Sequence, residues 1–328
     1  MVQRARSREH GVQGRLKERR VAKFVQILAT IAFVVGGIML LCAPAPAQTP
    51  MGMNAPGAVF APTRFTVVDE GKAGAPDVVL IPGLSSGRAV WDAEAKLLTP
   101  NYRLHLVQVN GFAGQPAGLN ATGEILPALV DELHGYIAAS GMHPVVVGHS
   151  LGGLLALMLA AKYPGDVRKM VIVDTLPFYA TLYSPQATVE GIRPQAEAMK
   201  QQVLSFPDDQ FAMVAPMMAH QLVKDPEGAK IVGGWSVSSD RKVVASAMVE
   251  DMLTDMRGQV GSIKTPTLVL YEHDPTLTMP NADSYEALMK AGYQPMPHVT
   301  LVRVDDSRHF IMYDQPAKFD AAVEGFLK

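Results

Sequence analysis

The 328-residue sequence predicts a doubly wound, mostly parallel α/β sheet carrying an inserted helical cap. Two observations point there. From Phe65 onward, short β-branched runs closed by turn residues alternate with longer helical patterns. Continuous apolar runs of this kind suit strands buried on both faces, and the alternation suits right-handed crossovers between parallel strands. The second observation is an interruption, because residues 177–258 contain helical patterns and no convincing strand.

The strands follow in order. Val78–Ile81 runs into Pro82-Gly83, Leu104–Val109 into Asn110-Gly111, Val145–Val147 into Gly148, and Met170–Val173 into Asp174. After the interruption, Thr267–Tyr271 runs into Glu272 and Val299–Val304 into Asp305. Helical spacing marks Ile125–Ala139, Leu151–Tyr163, Ala282–Ala291 and Ala317–Leu327. Within the interruption it marks Gln195–Leu204, Asp208–Val223 and Arg241–Met256. Seven methionines gather there (Met199, Met213, Met217, Met218, Met248, Met252, Met256), most of them fitting helical core, and flexible thioethers also suit an adaptable apolar pocket. The expected organisation is a leader or anchor over 1–47, a Pro/Ala/Gly-rich linker over 48–63, a core over 64–176 and 259–328, and a cap over 177–258.

The formal net charge of −2 hides an asymmetry. Residues 1–23 carry a balance of +6, residues 24–47 carry no charged side chain, and the rest carries −8. So acidic a body has no long-range attraction for phosphate backbones, which argues against nucleic-acid binding. The basic head is followed by the apolar run Phe24–Leu41 and by Ala45-Pro46-Ala47. Positive head, apolar run and small-residue exit are the parts of a secretory signal, with cleavage expected after Ala47 and the product periplasmic or secreted. The alternative is an uncleaved membrane anchor formed by residues 24–41, since 18 apolar residues approach the length of a span. Cys42 is the single cysteine, so a chain cleaved after Ala47 has no disulfide, thiol nucleophile or cysteine metal site.

Gly148-His149-Ser150-Leu151-Gly152 fits the G-x-S-x-G pattern of a nucleophile elbow, with a valine strand before it and an apolar helix after it. The turn is so tight that the residues two before and two after the serine must be small. A serine hydroxyl needs a base to take its proton and an acid to orient that base. In the chain order serine, acid, histidine, two late loops qualify: Glu272-His273-Asp274-Pro275 supplies Asp274, and Asp305-Asp306-Ser307-Arg308-His309 supplies His309. Asp174 also ends a strand, although a turn or helix-cap carboxylate is the simpler reading there. His105, His134, His143 and His220 show no partner in the sequence, and Trp91 is expected to pack near the loop after the Val78–Ile81 strand.

With these motifs in order, residues 64–328 resemble the α/β-hydrolase superfamily in its lid-bearing serine-esterase and peroxidase-like branch. The resemblance rests on Ile81-Pro82-Gly83-Leu84, Gly148-His149-Ser150-Leu151-Gly152-Gly153, Leu268–Asp274 and Ser307-Arg308-His309-Phe310. It implies a triad of Ser150, Asp274 and His309, although some members take the acid from the position of Asp174. It also implies an oxyanion hole formed by the backbone N–H groups of Leu84 and Leu151, with Pro82 standing where the family usually has histidine. His149, inside the elbow, is then a packing residue rather than the base.

No H-E-x-x-H, C-x-x-C, Walker loop or G-x-G-x-x-G after the first strand is present, so neither metal nor nucleotide cofactor is expected. The expected activity is hydrolysis of carboxylic esters of small acyl compounds through an acyl-enzyme. Amidase, lactonase, C–C hydrolase and perhydrolase chemistry share the same triad, and a non-catalytic ligand-binding member of the fold is the alternative of another class.

Overall fold

A computed structural model describes residues 60–277 and 281–328. The expected leader or anchor, its apolar run 24–41, and the linker up to residue 59 lie outside the described residues. Among the described residues no helix is long and apolar enough to cross a membrane.

Seven strands form one sheet in the order β1-β3-β2-β4-β5-β6-β7. They are β1 (Phe65–Gly71), β2 (Asp77–Ile81), β3 (Arg103–Val109), β4 (Val145–His149), β5 (Lys169–Val173), β6 (Thr267–His273) and β7 (Val299–Asp305). Every pairing is parallel except β1 against β3, which runs antiparallel with Phe65 opposite Val109. The sequence gives β1 no continuous apolar run, because it is an edge strand with one buried residue and outward Asp69 and Glu70. Such charges blunt an open edge against further pairing.

Strand residues alternate between two buried layers, as a period of two requires. Val79, Ile81, Val146 and Ile172 enter one layer with α2 (Leu126–Ser140), α3 (Leu151–Lys162) and α8 (Ala282–Tyr293). Val78, Leu80, Val145, Val147, Val171 and Val173 enter the other with α1 (Asp92–Leu98) and α10 (Pro316–Leu327), which follows the short turn α9 (Ile311–Asp314). Trp91 belongs to this second layer, where it stacks on Phe319 with ring centroids 6.4 Å apart. It is therefore core.

Four helices stand between β5 and β6: α4 (Val189–Ser205), α5 (Asp208–Leu222), α6 (Pro226–Ser238) and α7 (Arg241–Leu253). Thr188, Asp225 and Asp240 cap α4, α6 and α7 through their side chains. Helix α6 escapes the sequence pattern because Gly228, Gly233 and Gly234 dilute its apolar positions. The insertion is tied to loops that follow strands. Asp240 N–H donates to the Gly111 carbonyl at 2.8 Å and Phe310 N–H to the Leu222 carbonyl at 3.1 Å. The Glu250 carboxylate accepts from the N–H groups of Ile125 and Leu126, capping the start of α2. These anchors place the four helices at the C-terminal edge of the sheet. The methionines divide: Met252 and Met256 are buried, while Met213, Met217 and Met218 on α5 face outward at 50–63% exposure and line no interior pocket.

Candidate active site

The turn between β4 and α3 holds Ser150 at φ 53° and ψ −121°, a region that L-residues rarely adopt. Such strain persists only where the surroundings over-determine it. Here they do. A Cβ on Gly148 would lie 2.2 Å from the Gly152 carbonyl oxygen, and one on Gly152 would lie 2.3 Å from that of Ile81. The Ser150 N–H donates to the Val173 carbonyl at 2.9 Å, and the Thr175 hydroxyl donates to the Ser150 carbonyl at 2.8 Å. Thr175 is held in turn by Tyr293 of α8, whose hydroxyl donates to the Thr175 carbonyl at 2.7 Å. The serine side chain thus sits at the first turn of a helix, on a backbone braced from two neighbouring strands.

His309 lies in the loop after β7. Its Nδ1 is 2.6 Å from Oδ2 of Asp174, at the C-terminal end of β5. The structure therefore pairs His309 with Asp174 and not with Asp274, the carboxylate expected there. Asp174 is buried and itself stands at φ 53°. Its Oδ1 accepts from the Glu272 N–H at 2.9 Å and from the Tyr285 hydroxyl at 3.0 Å. With Asp174 accepting on both oxygens, Nδ1 of His309 carries the proton and Nε2 keeps its lone pair. His149 supports the same loop from below. Burial and the adjacent His309 hold its pKa well below the usual imidazole value, so the ring is neutral. Its Nε2–H donates to the His309 carbonyl at 2.9 Å, and its ring centroid is 4.7 Å from that of His309.

Asp274 has other work. Its Oδ1 accepts from the N–H and hydroxyl of Thr276, and its Oδ2 accepts from Nε of Arg308 at 2.8 Å, with Nζ of Lys224 at 3.7 Å. Burial alone would raise this carboxyl, but the Arg308 and Thr276 hydrogen bonds and the Lys224 charge hold it at about 2. Between the two aspartates stands Glu272. Burial, and then the charges of Asp174 and Asp274, push it up to about 9, so it carries a proton at neutral pH. The aspartates therefore divide the labour: Asp174 meets the histidine, and Asp274 clamps the residue before it.

Gly83 of the loop after β2 runs against the elbow, where a Cβ on it would lie 3.1 Å from Cβ of Ser150 and 2.9 Å from Nδ1 of His149. Ser86 N–H closes the loop on the Gly83 carbonyl at 3.1 Å. Among the described residues, no protein group accepts a hydrogen bond from the backbone N–H of Leu84 or Leu151. Both donors stay available to a ligand.

Sequence reasoning missed Thr175, Tyr285 and Tyr293, which follow no motif and meet the site only through packing of α8 on β5. It also read His105 and His134 as isolated. His105 contacts Asp69 through Nδ1 and Asp77 through Nε2, and His134 contacts Asp166 at 2.8 Å while stacking on Tyr163. Both are structural. Among the described residues no group of His, Cys, Asp and Glu is placed to hold a metal ion.

A family model described as the alpha/beta hydrolase family matches residues 78–322. The pimeloyl-[acyl-carrier protein] methyl ester esterase of Vibrio vulnificus (strain YJ016) is 30% identical over 216 residues, covering 65% of this chain and 76% of the relative. Among solved structures, a hydrolase from Pseudomonas aeruginosa PA01 superposes with a TM-score of 0.65 at 21% identity, covering 80% of this chain and 94% of that one. The enol-lactonase from Burkholderia xenovorans LB400 gives a TM-score of 0.65 at 18% identity, covering 80% of this chain and 96% of its own. At those identities the structural likeness concerns the fold alone.

Proposed function

This chain belongs to the alpha/beta hydrolase family and is an enzyme of it, and we propose that it hydrolyses carboxylic esters through Ser150, His309 and Asp174. The observation that carries the proposal is the Nδ1 contact of His309 with Asp174, which leaves Nε2 as the basic nitrogen. In the proposed reaction Nε2 takes the Ser150 proton as Oγ attacks the ester carbonyl. The tetrahedral oxyanion is held by the N–H groups of Leu84 and Leu151. Removing one donor of such a pair costs about 3 kcal/mol of barrier in related chemistry. His309 then hands its proton to the leaving alcohol, and water hydrolyses the acyl-enzyme by the same route. No cofactor enters.

The family relation supports ester hydrolysis in general, and a named relative acts on a methyl ester. For this chain the proposed substrates are small acyl compounds that fit beneath helices α4–α7. Residues 1–47 are proposed to direct export, with retention through residues 24–41 as the alternative; a mature chain starting at Gln48 marks the first.

The test is chemical. A fluorophosphonate probe should add to the protein once, with the adduct mapped to Ser150. Ser150→Ala should abolish labelling and short-chain p-nitrophenyl ester hydrolysis while shifting unfolding free energy by no more than about 1 kcal/mol. Hydrolysis that survives in Ser150→Ala at more than a few per cent of the original kcat overturns the proposal.

A further inference from the structure

Five non-glycine residues stand at positive φ among the described residues. Two are Ser150 and Asp174, and a third, Asp306, opens the loop that carries His309. The other two, Ser85 at φ 57° and Ala113 at φ 47°, lie in the loops after β2 and β3, and the reaction outlined above gives neither a part. Left-handed backbone at a residue with a Cβ persists only where the surroundings hold it. For both residues the holder is one hydroxyl of the cap, that of Ser239 just after α6. Its Oγ accepts from the Ala113 N–H at 2.8 Å and lies 3.2 Å from the Ser85 carbonyl oxygen and 2.8 Å from that of Trp235. A hydroxyl has one proton to give, and a carbonyl has two lone pairs to fill. The Trp235 carbonyl already receives the Ser239 N–H at 3.0 Å and the Ser238 hydroxyl at 3.1 Å. No other described residue donates to the Ser85 carbonyl. The Ser239 proton therefore belongs to Ser85.

The position of Ser85 gives this contact its weight. The hydrogen bond from Ser86 N–H to the Gly83 carbonyl makes Gly83-Leu84-Ser85-Ser86 a four-residue turn, with Leu84 and Ser85 at its centre. Positive φ at the third residue of such a turn is ordinarily met by glycine. Both flanks of the turn are fixed: Gly83 runs against the elbow, and the Arg88 N–H donates at 2.8 Å to Oε1 of Gln108, buried on β3. Between these points neither Leu84 nor Ser85 makes a backbone–backbone hydrogen bond among the described residues. The cap closes over this free stretch. Ser236 Oγ of α6 lies 3.4 Å from Ser85 Oγ, and a Cβ on Gly87 would lie 3.0 Å from the Trp235 ring and 3.3 Å from Ala113 Cβ. Were Ser85 to relax to negative φ, the peptide joining it to Leu84 would turn over and shift the Leu84 N–H with it.

We propose that Ser239 is a positioning residue for the oxyanion hole. By holding Ser85 in the left-handed region from the cap, it aims the Leu84 N–H at the oxygen on which charge develops. The proposal rests on the serine-hydrolase reading and on Leu84 as one of its two donors. Such donors act because they are fixed in place before the charge appears, so a hydroxyl that touches no substrate still sets the rate.

The test reads the oxyanion directly. kcat/KM is measured for a p-nitrophenyl ester and for its thionoester, whose sulfur accepts hydrogen bonds weakly, in wild type, Ser239→Ala and the control Ser238→Ala. Outright loss of an oxyanion donor costs about 10²–10³-fold, so Ser239→Ala should lower the oxygen ester by about tenfold or more and the thionoester by less than about threefold. Ser238→Ala should leave both within about twofold of wild type. The acid limb of the pH profile should stay where it is, because the His309–Asp174 contact is untouched. Glycine holds positive φ without help, so in a Ser85→Gly background the same Ser239→Ala change should cost less than about threefold. Ser239→Cys, of similar volume and with a weaker donor, carries the same comparison if the alanine variant fails a thermal melt. An equal loss on both esters, an undiminished loss in the Ser85→Gly background, or no loss in Ser239→Ala overturns the positioning role alone. Wild type that hydrolyses no ester and takes no fluorophosphonate overturns the serine-hydrolase reading and the positioning role with it.

Discussion

Replacing each of the two candidate acids by asparagine separates them sharply, and the hydrogen bonds state in advance which way each amide must turn. In Asp174→Asn, the position of Oδ1 faces two donors, the Glu272 N–H and the Tyr285 hydroxyl. The amide oxygen must stay there, which turns the NH2 group towards Nδ1 of His309, now 2.6 Å from Oδ2. Nδ1 must then accept, so the ring proton moves to Nε2 and the base loses the lone pair with which it takes the serine proton. A wrong tautomer with intact geometry lowers kcat by about 10⁴ in a serine triad, or roughly 5.5 kcal/mol of barrier. Stability should change little, because size and most partners are kept. Asp274→Asn is the reverse case. Thr276 holds the amide oxygen on one side, so NH2 faces Nε of Arg308, donor against donor. Breaking a buried pair by removing one charge costs about 3–5 kcal/mol, and the partial exposure of Arg308 puts this pair at the lower end. Folding stability should therefore fall by about 3 kcal/mol while kcat stays within about tenfold of wild type. Single-turnover hydrolysis of an activated ester and urea unfolding, run on both variants, decide the matter. A thousandfold loss of kcat in Asp274→Asn beside a nearly active Asp174→Asn would refute the assignment of Asp174.

Two further outcomes follow from the same geometry. Gly152→Ala should lose about 3 kcal/mol or more of stability in urea unfolding, and its esterase activity with it, because the new Cβ meets the Ile81 carbonyl oxygen at 2.3 Å, where only backbone can give way; wild-type stability would mean that the elbow is looser than described. Glu94 is buried with neither carboxyl oxygen paired, and burial raises it to about 8 from an ordinary 4.5. The folded chain thus keeps a proton that the unfolded chain releases, so the stability tied to this group is complete below pH 4.5 and is lost as pH rises towards 8, by up to ~1.4 kcal/mol per unit. Measured by urea unfolding, the stability of wild type relative to Glu94→Gln should fall by about 3 kcal/mol between pH 5 and pH 7.5, and a difference that does not change with pH would rule out a buried neutral Glu94.

The central strands, the helices beside them and the elbow were legible because each is decided by neighbours in the chain. A run such as Val145-Val146-Val147 buries both faces wherever it lies in a parallel sheet, and Gly148 and Gly152 are forced by contacts with the turn itself or with the adjacent strand. The acid was not legible for the opposite reason. Asp174 and Asp274 end β5 and β6, which are hydrogen-bonded neighbours in the sheet. Adjacent strands lie only about 4.8 Å apart, so position along the chain does not tell which carboxylate His309 meets. Arg308 tells, since a cation immediately before the histidine takes one of the two aspartates for itself. Edge strand β1 was obscured by its polar alternation, and the tyrosines of α8 because packing across the sheet leaves no local trace.

The crowding of acids at these strand ends explains why the site needs so many supports. Asp174, Glu272 and Asp274 gather at the ends of two neighbouring strands, and three carboxylates in a largely buried cluster repel at short range. The fold answers each charge differently. Asp274 is neutralised by Arg308 and Lys224. Glu272 makes no ion pair among the described residues and keeps its proton, because burial and the two aspartates outweigh the charge of Arg308, while its backbone N–H serves Asp174. Asp174 is left with a tyrosine hydroxyl, that N–H and the histidine. Only the last of these partners gains a positive charge during the proposed reaction, so the attraction of Asp174 grows at the moment His309 takes the serine proton. The same clamp sets the geometry. Arg308 is held through Nε to Asp274 and through its N–H to Asp314, which also receives the N–H groups of Lys224 and Asp225 at the start of α6. The histidine loop and the cap are thus fastened to one carboxylate, Asp314. A cap that shifted would pull on the segment that carries His309, and for that reason the cap and the proposed base are mechanically one unit here.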